Sequence, residues 1–371
     1  MCTTKRMAQR IASLVLATLG MVAQADILIG QTTGVTGAVA ATVKETRVGA
    51  QLYIDAINAR GGVGGEKIEL ITLDDKFDPQ LAAANARELI EERKVVAMFM
   101  TRGTPHTEAI VPALEQHGVP LVGPSTGAMV LHAPVRKFVF NVRATYQREA
   151  EKAISHLTSI GIRHIAILHV DDSFGQDGLE GAHKGLASAQ LQAVVVAKFD
   201  RNTPDFAAVA QTLAKTPTQA VMIIGSGPAV AAGIRAIKAG GHKPQFVTLS
   251  NNASGGFIQL LGPDATGVIV SQVLPKSLNV PLVREATRLA KAQAIDDLSP
   301  AMLEGFASAK VLVEALRRAG AKPTRERIQS ALEGLQKFDL GGMEISYSPS
   351  NHTGLDFADL SIIGATGKFR R

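Results

Sequence analysis

The strongest constraint on this chain is an alternation. From residue 26 onward, short unbroken apolar runs take turns with longer stretches of helical periodicity. Runs at 26–30, 68–73, 95–100 and 120–122 read as strands, and 47–60, 79–92 and 105–117 as helices. The same rhythm recurs: helix 147–160, strand 164–170, helix 174–189, strand 193–199, helix 205–215, strand 220–224, helix 229–239, and strands 245–249 and 268–273. Helices at 281–294, 300–319 and 324–335 and short strands at 344–347 and 360–363 close the chain. The strand runs are continuously apolar, as in parallel sheets covered on both faces. Strand–helix–strand order then predicts an α/β fold of doubly wound parallel sheets, and two successive series predict two such lobes. Ligands of such sheets sit at the carboxyl ends of the strands. The informative loops are therefore 31–42, 74–79, 101–105, 123–127, 171–175, 225–228 and 250–254.

Composition narrows the class. With 371 residues, 46% hydrophobic and 19% charged, the chain is globular and long enough for two domains of about 150 residues. It has no Trp and only 4% aromatics, which disfavours base-stacking platforms. The formal charge of +6 owes three charges to Lys5, Arg6 and Arg10, and the body carries no basic run. A nucleic-acid partner is not expected. Those three bases precede an uncharged, largely apolar stretch, 11–23, and then Ala23-Gln24-Ala25. That order reads as a signal peptide over 1–25, cleaved before Asp26, which predicts export to the periplasm. The sole cysteine, Cys2, lies upstream of the apolar run, so lipid acylation there is not expected. The mature chain is expected to have no disulfide, no thiolate nucleophile and no cysteine-ligated metal.

Several motifs compete. Residues 123–127 (GPSTG) match G-x-S-x-G, which makes Ser125 a candidate hydrolase nucleophile. The same loop could instead hold an anion with hydroxyls and backbone N–H groups. The nine histidines show no metal spacing, and neither metal nor cofactor is expected. Gly225-Ser226-Gly227 lacks the third glycine of a dinucleotide turn. Arg102, just after a strand, can pair with a ligand carboxylate. Asp171 or Asp172 can cap the helix that follows, and Asp74 and Asp75 are expected to brace a loop.

A set of segments, in order, carries a family resemblance: 29–39 (IGQTTGVTGAV), 55–67 (DAINARGGVGGEK), 72–79 (TLDDKFDP), 119–126 (VPLVGPST), 138–143 (FVFNVR) and 164–178 (HIAILHVDDSFGQDG), the last spanning a strand and the start of a helix. The chain resembles type I periplasmic binding proteins of the Leu/Ile/Val-binding group, the solute receptors of ABC importers. The resemblance implies two lobes joined by three crossovers near 143, 273 and 350. One lobe would be 26–143 plus 273–350, and the other 144–272 plus 351–371. It implies ligand contacts from Thr101, Thr104, Ser125, Thr126 and Gly127, and cleft aromatics at Phe174 and Phe306. It also aligns the usual acid for the ligand's ammonium with Ser250 or Asn251, and a pocket tyrosine with Ser226. These departures lean away from an ordinary α-amino acid and towards a small carboxylate or amide, unless Asp171, Asp172 or Glu304 supplies the acid. Positions of a disulfide in some relatives are Phe77 and Met100. The expected role is a monomeric receptor that closes on a small amino acid, or a related carboxylate or amide, and delivers it to an ABC importer permease. The alternatives are a secreted serine hydrolase using Ser125 and a ligand sensor of the same fold.

Overall fold

The computed structural model describes residues 26–370, so the leader expected over 1–25 lies outside the described residues. The first sheet contains β1 (Ile27–Thr33), β2 (Ile68–Asp74), β3 (Ala97–Phe99), β4 (Leu121–Val122) and β5 (Val139–Phe140). All are parallel, in the order β2-β1-β3-β4-β5. Between them run α1 (Ala40–Asn58), α2 (Pro79–Arg87) and α3 (Thr104–His117). Helix α1 starts well before the apolar stripe that predicts it. Its first two turns bury Thr42, Val43 and Thr46, and buried threonines are invisible to an apolar period. Helix α2 starts where Asp78 accepts from Gln80 N and Leu81 N ahead of Pro79. It then widens into a π turn over 88–92.

The second sheet repeats the plan. It takes β6 (Ile165–Val170), β7 (Val195–Phe199), β8 (Ala220–Ile224), β9 (Gln245–Thr248) and β10 (Ile269–Gln272). These are parallel in the order β7-β6-β8-β9-β10. Their helices are α4 (Tyr146–Ser159), α5 (Ser173–Ser188), α6 (Ala207–Lys215), α7 (Gly227–Ala239) and α8 (Gly255–Leu261). The chain then returns to the first sheet with α9 (Pro281–Ala292), α10 (Pro300–Ala319) and α11 (Arg325–Glu333). Leu282, Leu303, Leu312 and Ile328 from these helices share one core with Ile27, Ala50 and Ile54. Helices α1 and α10 meet backbone to backbone. A Cβ on Gly49 would lie 1.8 Å from Met302 O, and one on Gly305 1.9 Å from Thr46 O.

Two corrections concern the tail. The strand expected at 344–347 joins neither large sheet: β11 (Phe338–Asp339) and β12 (Glu344–Ile345) form a separate hairpin. Next, β13 (Asp359–Ile363) pairs with β10 antiparallel and β14 (Phe369–Arg370) pairs with β13, so the second sheet is mixed, not purely parallel. The chain reaches β13 by a crossing rather than through a covering helix, and so enters from the opposite end.

The chain passes between sheets after β5, after β10 and after β12. The first and third passages lie side by side: Asn141 N donates to His352 O (3.0 Å), Leu355 N to Val142 O (2.9 Å), and the Tyr347 hydroxyl to Asn141 O (2.7 Å). A buried ion pair joins the first passage to the second. Arg143 Nη2 donates to Glu149, whose other oxygen accepts from Ser250 N at 2.9 Å and from the Ser271 hydroxyl on β10.

Candidate functional site

In each sheet the strand order reverses between its first and third strands in sequence, β1 and β3 in one, β6 and β8 in the other. A crevice opens at such reversals, beyond the carboxyl ends of the strands. Here the two crevices face each other. From the first sheet come Val39 after β1, Phe77 after β2, and Arg102, Gly103 and Thr104 after β3. From the second come Phe174 after β6, Arg201 after β7, Ser226 after β8 and Asn251 after β9, with Tyr146 at the first passage. None of these walls carries a carboxylate. The pocket these residues line is about 20 Å³, room for roughly one water, and on its α1–α8 side Arg102 and Asn251 also border an open interlobe groove of about 490 Å³.

Arg102 crosses the crevice. Its Nη1 donates to Ser125 Oγ (3.0 Å) and its Nη2 to Asn251 O on the far side (2.6 Å). The residue is 4% exposed. Among the described residues no carboxylate oxygen lies within 4.0 Å of its guanidinium. Burial lowers its pKa, the nearby Tyr146 and Glu304 oppose that without offsetting it, and Arg143 adds to it. Arg143 behaves the other way. Burial presses it down, but the charges of Glu149, Tyr146 and Glu304 outweigh burial and raise its pKa. Arg143 touches its counter-ion, whereas Arg102 reaches the nearest carboxylate, Glu304, only through the Ser125 hydroxyl.

The expected site residues divide. Thr104 and Thr126 share a hydroxyl–hydroxyl bond of 2.7 Å at the start of α3. Ser125 accepts from Arg102 and donates to Glu304 Oε1 at 2.9 Å. Thr101 Oγ1 is buried with no hydrogen-bond partner among the described residues. Gly127 seats the loop on the first passage: its carbonyl accepts from Tyr146 N (2.8 Å), and a Cβ there would lie 2.5 Å from Ala144 O. Phe174 meets Tyr146 with ring centroids 4.7 Å apart. The Ser226 hydroxyl makes no cap bond at the head of α7, and Asn251 Oδ1 is buried without a partner among the described residues.

Two expectations are corrected. Phe306 is not a cleft aromatic; it is 0% exposed and packs edge-to-face on Tyr53 in the first-sheet core (5.2 Å). Ser250 does not face the crevice with a free hydroxyl. Its Oγ accepts from Arg143 Nη2 at 2.8 Å and its N–H donates to Glu149.

The three acids considered as stand-ins are engaged elsewhere. Asp171 pairs with Lys198 at 2.8 Å on the surface. Asp172 Oδ1 caps α5 through Phe174 N and Gly175 N, as the sequence suggested, and its Oδ2 holds Arg201. Glu304 lies behind Ser125, 3.9 Å from Arg143 Nη1. Asp74 and Asp75 brace the loop before α2 by accepting from Lys76 N and Phe77 N (2.9 Å each). Phe77 stacks on His106 (4.3 Å), while Met100 packs in the first-sheet core.

Sequence reasoning missed Tyr146, Arg143, Glu149 and Arg201. The loop after β7 was a readable strand end, and it would have supplied Arg201, whose guanidinium lies over the Phe77 ring at 5.0 Å. Tyr146 opens a helix after a passage between sheets, a position that strand-end logic does not search.

Polar bonds also close the rim. Glu45 on α1 accepts from Gly255 N (3.0 Å) and Gly256 N (2.8 Å) at the head of α8. The Thr42 and Ser254 hydroxyls are 3.0 Å apart, and the Ser173 hydroxyl donates to Glu108 at 2.6 Å.

Two doubly wound lobes, joined by three passages and shut on a crevice at their strand ends, are the architecture of a solute receptor. The comparisons give the family: the chain belongs to the periplasmic binding proteins, whose family profile matches residues 26–357. It is 26% identical over 347 residues to Leu/Ile/Val-binding protein homolog 3 of Brucella melitensis, covering 90% of each chain. The Leu/Ile/Val-binding protein of Escherichia coli is 23% identical, over 82% of this chain and 83% of that one. A substrate-binding periplasmic protein of Ralstonia solanacearum superposes with a TM-score of 0.83 at 32% identity, covering 93% of this chain and 99% of that chain. The protein is a substrate-binding receptor and not an enzyme. This overturns the hydrolase alternative, and the geometry agrees: both hydrogen bonds of the Ser125 hydroxyl go to Arg102 and Glu304, not to an imidazole base.

Proposed function

We propose that this chain is the periplasmic receptor of an ABC importer and takes a small organic carboxylate, or a related amide, into the crevice between its lobes. The lobes are 26–143 plus 273–350 and 144–272 plus 351–371, and the working form is a monomer exported by a leader over residues 1–25. The observation that carries the ligand class is Arg102, buried between the lobes with no carboxylate in direct contact, Glu304 being reached only through Ser125. A ligand carboxylate would supply that counter-charge in a bidentate geometry. Thr104, Ser125 and Thr126 add hydroxyls beside it, and Asn251 supplies the contact from the second lobe. The relatives named for leucine, isoleucine and valine support an importer partner and a small solute.

The test is calorimetric titration of the mature protein with small carboxylates and their amides, repeated with Arg102→Gln. Losing one partner of a buried charged pair costs about 2 kcal/mol or more, so carboxylate affinity should fall at least about 30-fold. Unchanged carboxylate affinity in Arg102→Gln would refute the assignment.

A further inference from the structure

We infer that the ligand is an aromatic carboxylate without an α-ammonium group; the inference deepens the carboxylate reading above and rests on it. Two independent features of the crevice carry it.

The first is the lining. Of the apolar side chains in the walls, Phe77, Tyr146 and Phe174 are aromatic and Val39 alone is aliphatic. Tyr146 and Phe174 meet at a tilt of 54° on the side of the second lobe, and Phe77, stacked on His106 with Arg201 over its ring, lines the first-lobe side. Ring-lined walls favour a flat ring over a branched aliphatic group, because ring pairs gain about 0.5–1.5 kcal/mol beyond area burial.

The second is charge. The positions that the resemblance aligns with the ammonium-binding acid are Ser250 and its neighbour Asn251, both neutral, and the Ser250 hydroxyl already receives a cation from inside the fold, Arg143 Nη2 at 2.8 Å. Glu149, the carboxylate nearest that serine, accepts from Arg143, Ser250 N and Ser271. A ligand ammonium brought here would meet a guanidinium, and the unpartnered acceptor beside it, Asn251 Oδ1, is neutral. The other two cations of the neighbourhood act alike: Arg102 is unpaired in the crevice, and Arg201 takes up the wall's nearest acid, Asp172. The internal Arg143 thus occupies the ammonium's place, and the site discriminates against zwitterions by like-charge repulsion.

The space among these rings, about 20 Å³, is too small for another ring, so a ligand that fills it enters from the adjoining groove of about 490 Å³ and parts Arg102 from Asn251.

Four ligands separate the two features: 3-phenylpropanoate and L-phenylalanine differ only by the α-ammonium, as do 4-methylpentanoate and L-leucine. Titrated into the mature protein, 3-phenylpropanoate should bind at least tenfold more tightly than either L-phenylalanine or 4-methylpentanoate, and L-leucine weakest of all. Phe174→Leu, checked for an intact unfolding transition, should narrow the ratio between the two carboxylates. If 4-methylpentanoate matches 3-phenylpropanoate, the aromatic inference falls and the carboxylate reading stands. If L-phenylalanine matches 3-phenylpropanoate, the exclusion of ammonium falls. If only the amino acids bind, or none of the four binds at millimolar concentration, both readings fall.

Discussion

Glu149→Leu should be among the most damaging single changes in the protein. The carboxylate is 0% exposed, and Arg143 beside it is 2% exposed. It accepts from Arg143, Ser250 N and Ser271 together. Removing one partner of a buried pair costs about 3–5 kcal/mol, because the other charge is left uncompensated. At about 2–4 °C per kcal/mol for units of this size, Tm should fall by roughly 6–20 °C. Arg143→Met should cost a similar amount. The double variant should lose less than the sum, since the Arg143–Glu149 charges leave together; Glu304 then loses its neighbour Arg143, and the two donors on Ser250 and Ser271 go unmet at about 1–3 kcal/mol each. Urea unfolding of all four proteins gives the coupling energy. It should be about 2 kcal/mol or more, and a coupling below about 0.5 kcal/mol would refute the account of the pair as a mutually dependent buried unit.

Burial raises the pKa of Asp75 to about 6, against the opposing bonds from Phe77 N and Thr32. A carboxyl whose folded pKa is raised loses stabilising effect as pH rises from about 4 through 6. Asp75→Asn should therefore gain on the native protein over that interval, by up to about 3 kcal/mol, and parallel stability–pH curves would contradict this. Gly305→Ala should destabilise by at least about 1–3 kcal/mol, since its Cβ meets Thr46 O, while Gly161→Ala, with open space around it, should lose only what its φ of +88° demands; equal losses, read from chemical denaturation, would argue against backbone contact between α1 and α10. Glu45→Ala with Thr42→Ala removes interlobe bonds worth about 1.5–3 kcal/mol for the charged ones, and small-angle scattering of the ligand-free protein should show a larger radius of gyration; an unchanged radius would mean that these contacts do not hold the lobes shut.

The alternation of apolar runs and helical periods was enough to read two doubly wound sheets, because parallel strands covered on both faces leave an unbroken apolar signature. It failed where that cover is missing. Strands β5, β11 and β14 are two residues each, too short to leave a pattern, whereas β13, though partly exposed, was still read at 360–363. Strand-end logic pointed to Arg102, and the resemblance supplied Ser125, Phe174, Ser226 and Asn251, whose loops the topology brings beside it. It could not place Phe306, whose ring turns into the core against Tyr53, because alignment carries a position but not a side-chain direction. Nor could it see that Arg143 and Glu149, six residues apart, bind Ser250 and Ser271 more than a hundred residues on.

The crossing pattern also sets an order of assembly. The first sheet is complete by residue 140, but the face covered by α10 stays open until residues 300–319 arrive, and β10 waits for β13 at 359–363. A chain made from its N-terminus therefore cannot finish either unit until almost all of it has emerged, and the first is closed by very long-range contacts such as Gly49 on Met302 and Gly305 on Thr46. Such a topology folds slowly. It keeps the growing polypeptide threadable to the last, which suits the export proposed above, in which the chain crosses a membrane pore as an unfolded strand before it acquires its shape.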